Sequence, residues 1–358
     1  MVNLLNYKLN LLIKYPGTGL TKSDNRLIMR FLSYFLILAG FFLSACGDSG
    51  KTDSKSAEKQ KATKVYPVFN GDSAYYFVAR QVDFGPRVPN TEASARCAVW
   101  LTQTLQRFTP HVQVQSFKAR VYNGLVINGR NIIASFNPEH KVRILLSAHW
   151  DSRPYADHDP DPANHRKPID GANDGASGVG VLLELARILQ QQAPSVGVDI
   201  VLFDAEDYGP PSDLQTDEGN DWWGLGSQYW SRNPHKPGYQ ARFGILLDMV
   251  GVQNPTFPME GFSLYYAPSV VKKVWDIAAR MGYGNAFIAE PGGYITDDHY
   301  YVNKIARIPM INIIHLERNQ DGRTFYPYWH TMGDSIDKVD KNSLQMVGEV
   351  LIRVIYDE

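Results

Sequence analysis

The chain has 358 residues, of which 44% are hydrophobic and 20% charged, with a net charge of −1. That is the composition of a globular protein with a large core. The charge balance, with no long basic block, argues against nucleic acid or another polyanion as partner. Two cysteines, Cys46 and Cys97, make no disulfide framework.

In chain order, Arg26 and Arg30 precede an apolar run from Phe31 to Phe42, followed by Leu43-Ser-Ala-Cys46 and Gly47. A basic flank, a short apolar region and small residues make a signal peptide, too short for a good membrane-spanning helix. Leu-Ser-Ala-Cys resembles a bacterial lipobox, in which the cysteine becomes the lipidated first residue of the mature protein. Met29 would start a signal of ordinary length, so residues 1–28 are expected to precede the translated start. Residues 47–64 are small, polar and charged, and read as a flexible tether. The expected division is therefore a signal region over 1–46, a tether over 47–64 and a catalytic domain over 65–358. The protein is expected to be exported, lipid-anchored through Cys46 in a bacterial envelope, facing periplasm or surface, and monomeric.

Residues 72–82 carry apolar side chains at helical spacing, and Asp83-Phe-Gly-Pro-Arg-Val-Pro89 ends that helix. Residues 91–108 read as an amphipathic helix capped by Thr91, with Cys97 a small buried residue within it. Residues 112–117, 131–136 and 143–148 read as strands. The last is nearly continuous apolar, as a strand covered on both faces must be. The glycine-rich stretch 170–178 then carries Asp174 and opens a helix over 177–190. Backbone N–H groups at that helix start are expected to hold the Asp174 carboxylate facing a shared cavity. A strand over 198–203 ends in Asp204-Ala-Glu-Asp207, and a long loop over 208–226 leads to a short helix over 226–231. A strand over 243–247 ends in Asp248, a helix capped by Ser269 covers 269–281, and a strand over 310–314 ends at His315. The closing helix spans 343–356.

Strands alternating with helices specify an α/β fold: a single domain with a central, mostly parallel mixed sheet flanked by helices on both faces. Ligands bind such sheets beyond the carboxyl ends of the strands. His149, Asp151, Glu206, Asp207, Asp248 and His315 all fall there. Zinc takes histidine nitrogen and carboxylate oxygen, and a catalytic site keeps one position open. Asp174, Asp207 and His330, together with His149 and Asp248, are the candidate ligands. Neighbouring carboxylates such as Glu206 and Asp207 can divide the work, one binding metal and the other moving protons. Trp150 is expected to pack, His299 to be tied to its neighbours, and His158 and His165 to lie at the surface. The stretch 171–178 lacks the spacing of a dinucleotide loop and the Walker lysine, so no nucleotide is expected.

His149-Trp-Asp-Ser152, the stretch 171–178, the strand ending in Glu206-Asp207, Leu246-Leu-Asp-Met-Val-Gly251 and Asp297-Asp-His299 resemble the M28 clan of zinc aminopeptidases. Within it, Asn254-Pro-Thr-Phe-Pro258, Thr296-Asp-Asp-His299 and Trp329-His-Thr-Met332 are more similar to glutaminyl-peptide cyclotransferases of the animal type and their bacterial relatives. The resemblance runs from about Tyr75 to the end. It implies one zinc per chain held by Asp174, Asp207 and His330, with Glu206 as general acid/base. It implies that Asp248 and Asp297 form an acidic group beside Glu206. Trp329 and His315 would line the substrate pocket, together with Trp222 or Trp223. The implied substrates are peptides or proteins with an amino-terminal glutamine, cyclised to pyroglutamate with release of ammonia. Two departures stand out. Asp207 and Thr296 occupy positions where animal enzymes carry Glu and Gln. The alternative is a two-zinc aminopeptidase using His149 and Asp248 as further ligands.

Overall fold

The chain enters through helices α1 (Gly71–Val82) and α2 (Glu92–Gln106), then a hairpin of β1 (Val112–Arg120) and β2 (Val126–Phe136). Next come β3 (Arg143–His149), α3 (Ala176–Gln191) and β4 (Gly197–Phe203), followed by α4 (Leu225–Arg232) and β5 (Phe243–Asp248). The short β6 (Phe257–Met259) leads to α5 (Gly261–Tyr266), α6 (Pro268–Arg280) and β7 (Phe287–Pro291). Finally α7 (Asp298–Tyr301), β8 (Met310–Ile314), β9 (Glu317–Asn319), β10 (Gly322–Thr324) and α8 (Lys341–Tyr356) complete the chain. This computed structural model describes residues 64–214, 221–320 and 322–358. The signal region, the lipobox at Cys46 and the tether to residue 63 lie outside them. No helix among the described residues is long and apolar enough to cross a membrane.

Six strands form the central sheet in the order β1-β2-β4-β3-β5-β8. The pairs β4–β3, β3–β5 and β5–β8 are parallel, and β1–β2 and β2–β4 antiparallel. Period-two alternation sends Ile144, Leu146 and Ala148 of β3 and Ile200 and Leu202 of β4 to one face, under α1, α3 and α8. Leu145, Val201, Phe203 and Leu246 point to the other, beneath Trp230 of α4. Both faces are covered, so the inner parallel strands tolerate almost no polar side chain.

Besides the small Ser147 of β3, Asp199 in the middle of β4 is the charged exception. It is fully buried and paired bidentately with Arg143 at 2.5 and 2.7 Å. It also accepts from Ser135 Oγ at 2.5 Å and Tyr239 OH at 2.8 Å.

Thr91 caps α2, its Oγ1 accepting from the Ser94 N–H at 3.1 Å. The expected cap at Ser269 is displaced. Pro268 occupies the first turn of α6 and Ala267 is the residue before it, because proline's fixed φ and missing N–H suit that position. β2 begins at Val126, five residues earlier than its apolar run suggests. Its polar start pairs with β1 through the register Gly129↔Phe117, and a Cβ at position 129 would fall 2.1 Å from that Phe117 ring.

Candidate metal centre and active site

Each parallel strand delivers its charged residues by a turn at its carboxyl end. His149 closes β3, Glu206 and Asp207 follow β4, and Asp248 closes β5. Backbone strain accompanies them: Ala205 (φ 55), Met249 (φ 49) and His330 (φ 54) all lie in the left-handed region. The glycine turn before α3 works by close approach. A Cβ at Gly178 would come within 2.4 Å of the Leu247 carbonyl, and one at Gly175 within 2.6 Å of the Asp151 carbonyl. Small residues here let the start of α3 press directly on the ends of β3 and β5. Asn173 Oδ1 and Ser177 Oγ then accept the N–H groups of Gly251 and Val250 at 2.7 and 3.1 Å, fastening the two loops together.

Asp174, Asp207 and His330 meet in one place, with a ligand atom of each within 4.8 Å of the others. His330 Nε2 lies 3.1 Å from Asp207 Oδ1 and 3.6 Å from Asp174 Oδ2. His149 Nε2 faces the other side of Asp174, at 3.1 Å from its Oδ1 and 3.3 Å from Asp248 Oδ1. His149, Asp174 and Asp248 thus form a second group of the same compactness, sharing Asp174 with the first.

A cavity of about 300 Å³ opens over these groups. It is lined by Asp174, Glu206, Asp207, Asp248 and Asp297, with Trp223, Phe325, Trp329 and His330 among its walls. No Lys or Arg among the described residues lines it. Asp174 Oδ2 and Asp207 Oδ2 are buried without a hydrogen-bond partner. Two carboxylate oxygens left bare beside an imidazole nitrogen, in a cavity rich in acid, fit a zinc ion in donor type and charge.

The electrostatics divide the acids. Burial, reinforced by the charge of Asp297, holds the Glu206 carboxyl well above its ordinary range. Burial also raises Asp297 and Asp207, and pushes Asp248 up to about 8 despite its hydrogen bond to His149. Asp174 goes the other way: burial opposes its charge, but the hydrogen bond from His149 outweighs that and lowers it. A carboxyl poised above its usual range is what a group that both takes and gives a proton requires.

The backbone N–H groups of the glycine turn do not hold the Asp174 carboxylate. Asn173 and Asp174 donate instead to the buried Asp334, at 2.9 and 3.0 Å. Across the site, Asp151 accepts the N–H groups of Glu206 and Asp207 at 3.1 and 3.2 Å. Asp174 and Asp207 are thus each fixed through the main chain by a second carboxylate behind them. Arg87, also buried, holds the glycine turn by the carbonyls of Trp150 and Gly171 at 3.0 and 2.8 Å. Asp157 faces His330 Nδ1 at 3.4 Å. Nothing in the spacing of Arg87 or Asp334 marks them in the sequence, because their partners are mostly main-chain atoms of distant residues; Asp157 sits four residues from Arg153, but its contact with His330 spans the chain.

Of the expected pocket residues, Trp329 and Trp223 line the cavity, with Trp223 nearly parallel to His330 at 6.4 Å. Trp222 and His315 do not line it. Trp222 is half-buried beside the lining residue Trp223. His315 Nδ1 accepts the Thr256 N–H at 3.0 Å, which turns its ring toward a separate cavity of about 760 Å³ bounded by Tyr326 and Lys338. Trp150 packs fully buried, donating to the Arg130 carbonyl at 3.0 Å. His158 is exposed, yet its ring lies 4.4 Å from Trp329 at the cavity rim.

Asp297 rests on a further buried carboxylate. Asn312 Nδ2 donates to Asp297 Oδ2 at 2.6 Å, and Glu260 anchors the preceding residues through the Ile295 N–H at 3.0 Å. Glu260 also accepts from the Phe262 and Ser263 N–H groups and contacts His299 Nε2 at 2.8 Å, so His299 is tied to its neighbours. Burial would raise Glu260, but the His299 hydrogen bond and charge outweigh it and hold the carboxyl down at about 2. A depressed carboxylate stabilises the fold above its unfolded pKa of roughly 4.3 and loses that contribution as pH falls toward the folded value. Glu260→Gln should therefore cost about 1.5–3 kcal/mol at neutral pH. The gap to wild type should close between about pH 4 and pH 2 in urea unfolding followed across acid pH. A gap that stays constant over that range would remove the carboxylate from this role.

A model of peptidase family M28 matches residues 131–355. A crystal structure of glutaminyl cyclase from Bacteroides thetaiotaomicron, bound to N-acetylhistamine, is 52% identical. It covers 82% of this chain and 100% of its own, with a TM-score of 0.79. A Zn-dependent exopeptidase from Parabacteroides distasonis is 51% identical over 82% of this chain and 100% of its own, with a TM-score of 0.80. The glutaminyl-peptide cyclotransferase of Bos taurus is 24% identical over 302 residues, 74% of this chain and 76% of that protein.

Proposed function

Since the chain belongs to peptidase family M28, with the family model matching residues 131–355, we propose that it is a zinc-dependent glutaminyl-peptide cyclotransferase. It would convert an amino-terminal glutamine of peptides or proteins to pyroglutamate and release ammonia. The observation that carries this reading is the pairing of one compact ligand set with a separate, uncoordinated acid. Asp174, Asp207 and His330 would hold a single zinc, leaving Glu206 free in the same cavity with its carboxyl raised by burial. Bacterial glutaminyl cyclases at about half identity support the choice of substrate.

Zinc, when bound, would supply Lewis acidity to the side-chain amide carbonyl of the substrate. The chain's own residues do the rest. Glu206 takes a proton from the substrate's α-amine as that nitrogen attacks the amide carbon. It returns the proton to the departing NH₂, which leaves as ammonia. Asp297, braced by Asn312 and the Glu260 network, orients the amine, and Asp248 completes the acidic group. Phe325 and Trp329, stacked at 4.2 Å, form an apolar wall that keeps competing water from the carbonyl.

A second reading has a specific observation behind it. His149, Asp174 and Asp248 are compact enough to hold another metal, and one relative at 51% identity is described as an exopeptidase. Hydrolysis by a two-zinc aminopeptidase would then release the first amino acid. One experiment separates the two: supply a Gln-initiated peptide, identify the product and count zinc per chain. The cyclase reading expects pyroglutamyl peptide, ammonia and one zinc. A freed glutamine with two zincs overturns it. We also propose, from the lipobox at residues 43–46, that the protein is exported and lipid-anchored through Cys46.

A further inference from the structure

We propose that Arg153 is a positioning residue that holds the metal ligands and the pocket wall in one fixed arrangement, an inference that rests on the zinc reading above. Arg153 is 1% exposed, yet all its donors are used. Its Nε and Nη2 form a fork on Asp157 at 3.0 and 2.8 Å. That same Asp157 faces His330 Nδ1 at 3.4 Å, on the ring edge opposite the ligand nitrogen. Nη1 donates to the Asp207 carbonyl at 2.9 Å and stands 3.7 Å from Asp207 Oδ1. It also reaches the Gly209 carbonyl at 3.2 Å, while Nη2 takes the Pro210 carbonyl at 3.0 Å.

The flat face of the guanidinium has a separate partner. It lies 4.8 Å from the Trp223 ring, a wall of the cavity. Trp223 is pressed against the same turn that Arg153 holds: a Cβ at Gly209 would come within 2.2 Å of its ring. One side chain thus touches Asp207 directly, His330 through Asp157, and the tryptophan wall by stacking. Its fixed charge also competes for the electron density of Asp207 and Asp157, which moderates how strongly Asp207 and, through Asp157, His330 donate to a metal. Lysine would keep the charge but has neither the planar fork nor the stacking face. The inference therefore concerns geometry, and Arg153→Lys isolates it.

Cobalt(II) in place of zinc gives visible absorption bands that report ligand geometry independently of turnover. In cobalt-loaded full-length protein, Arg153→Lys should shift those bands. In the zinc enzyme it should lower kcat/KM on a Gln-initiated peptide about 10- to 100-fold, with KM raised as well as kcat lowered. The Arg153→Lys/Trp223→Phe double variant should lose less than the product of the two single losses. Asp157→Asn provides a second route to the same spectral shift should the lysine variant fold poorly. An arginine serving only the fold would lower the melting temperature and leave bands, KM and kcat in place, which would overturn the inference alone. A wild-type protein that takes up no cobalt or zinc would overturn the metal reading and this inference with it.

Discussion

Glu206→Gln lowers turnover of a Gln-initiated peptide by about 10²- to 10⁴-fold, the range a positioned general acid/base supplies, while zinc content stays at the wild-type value. The separation follows from how the turn after β4 is built. The N–H groups of residues 206 and 207 are both held by the Asp151 carboxylate, so the main chain does not depend on the Glu206 side chain. Asp207 keeps its contact with His330 at 3.1 Å, and the ligand set is untouched. Glutamine has nearly the volume of glutamate but cannot accept and return a proton. The loss should therefore fall on kcat, with a barrier rise of about 3–5 kcal/mol. Steady-state kinetics beside metal analysis of the same preparation checks both halves. Activity within a few-fold of wild type would remove Glu206 from proton transfer, and loss of zinc would make it part of the metal site instead.

The largest stability effect lies at the opposite end of the sheet. Arg143→Met should destabilise the protein by about 3–5 kcal/mol, because it leaves a buried carboxylate without its counter-charge. Asp199 has no exposure, and what remains around it are the Ser135 and Tyr239 hydroxyls and His235, whose Nε2 lies 3.8 Å from Oδ1, outside hydrogen-bond reach. Removing both charges in Arg143→Met/Asp199→Asn should recover part of the loss, since an amide is cheaper to bury than a lone carboxylate. Urea unfolding of the two variants gives the test. Arg143 begins β3 and His149 ends it, about 20 Å away at strand rise, so the folded fraction of either variant should cyclise substrate normally. A single variant as stable as wild type would show that Arg143 is not the counter-charge Asp199 depends on.

Much of the architecture is legible in the chain because its signals are local. The inner strands 143–148, 198–203 and 243–247 are apolar runs bounded by turns, and their ends carry the acids and histidine. Thr91 announces its helix through a cap three residues long. The same reasoning stops where a contact depends on distance in sequence. Asp334 meets Asn173 and Asp174 some 160 positions earlier, and Arg153 meets residues 54 to 57 positions away. No period or spacing encodes such pairs. The start of β2 is hidden for another reason: residues 126–130 include Asn128-Gly129, a turn signal, yet they are paired along their length with β1. Trp222 and Trp223 differ by one position, and only the turn into α4 decides which ring reaches the cavity.

The left-handed residues at the strand ends bear on how this protein can change over generations. Ala205, Met249 and His330 each adopt a backbone that costs about 1–3 kcal/mol for a residue with a side chain. Glycine at Ala205 would relieve that cost for the loss of one buried methyl, whereas at Met249 it would also empty a side chain buried against Ile314, Leu316 and Tyr326, so Ala205 offers the easy gain to any selection for heat resistance. Glycine at either position would let the neighbouring peptide swing, and with it Glu206 or Asp248. A lineage driven toward higher temperature while its activity is required should therefore leave these turns alone and accumulate its changes in the helical layers. A lineage that has lost the need for the chemistry should show glycine there first.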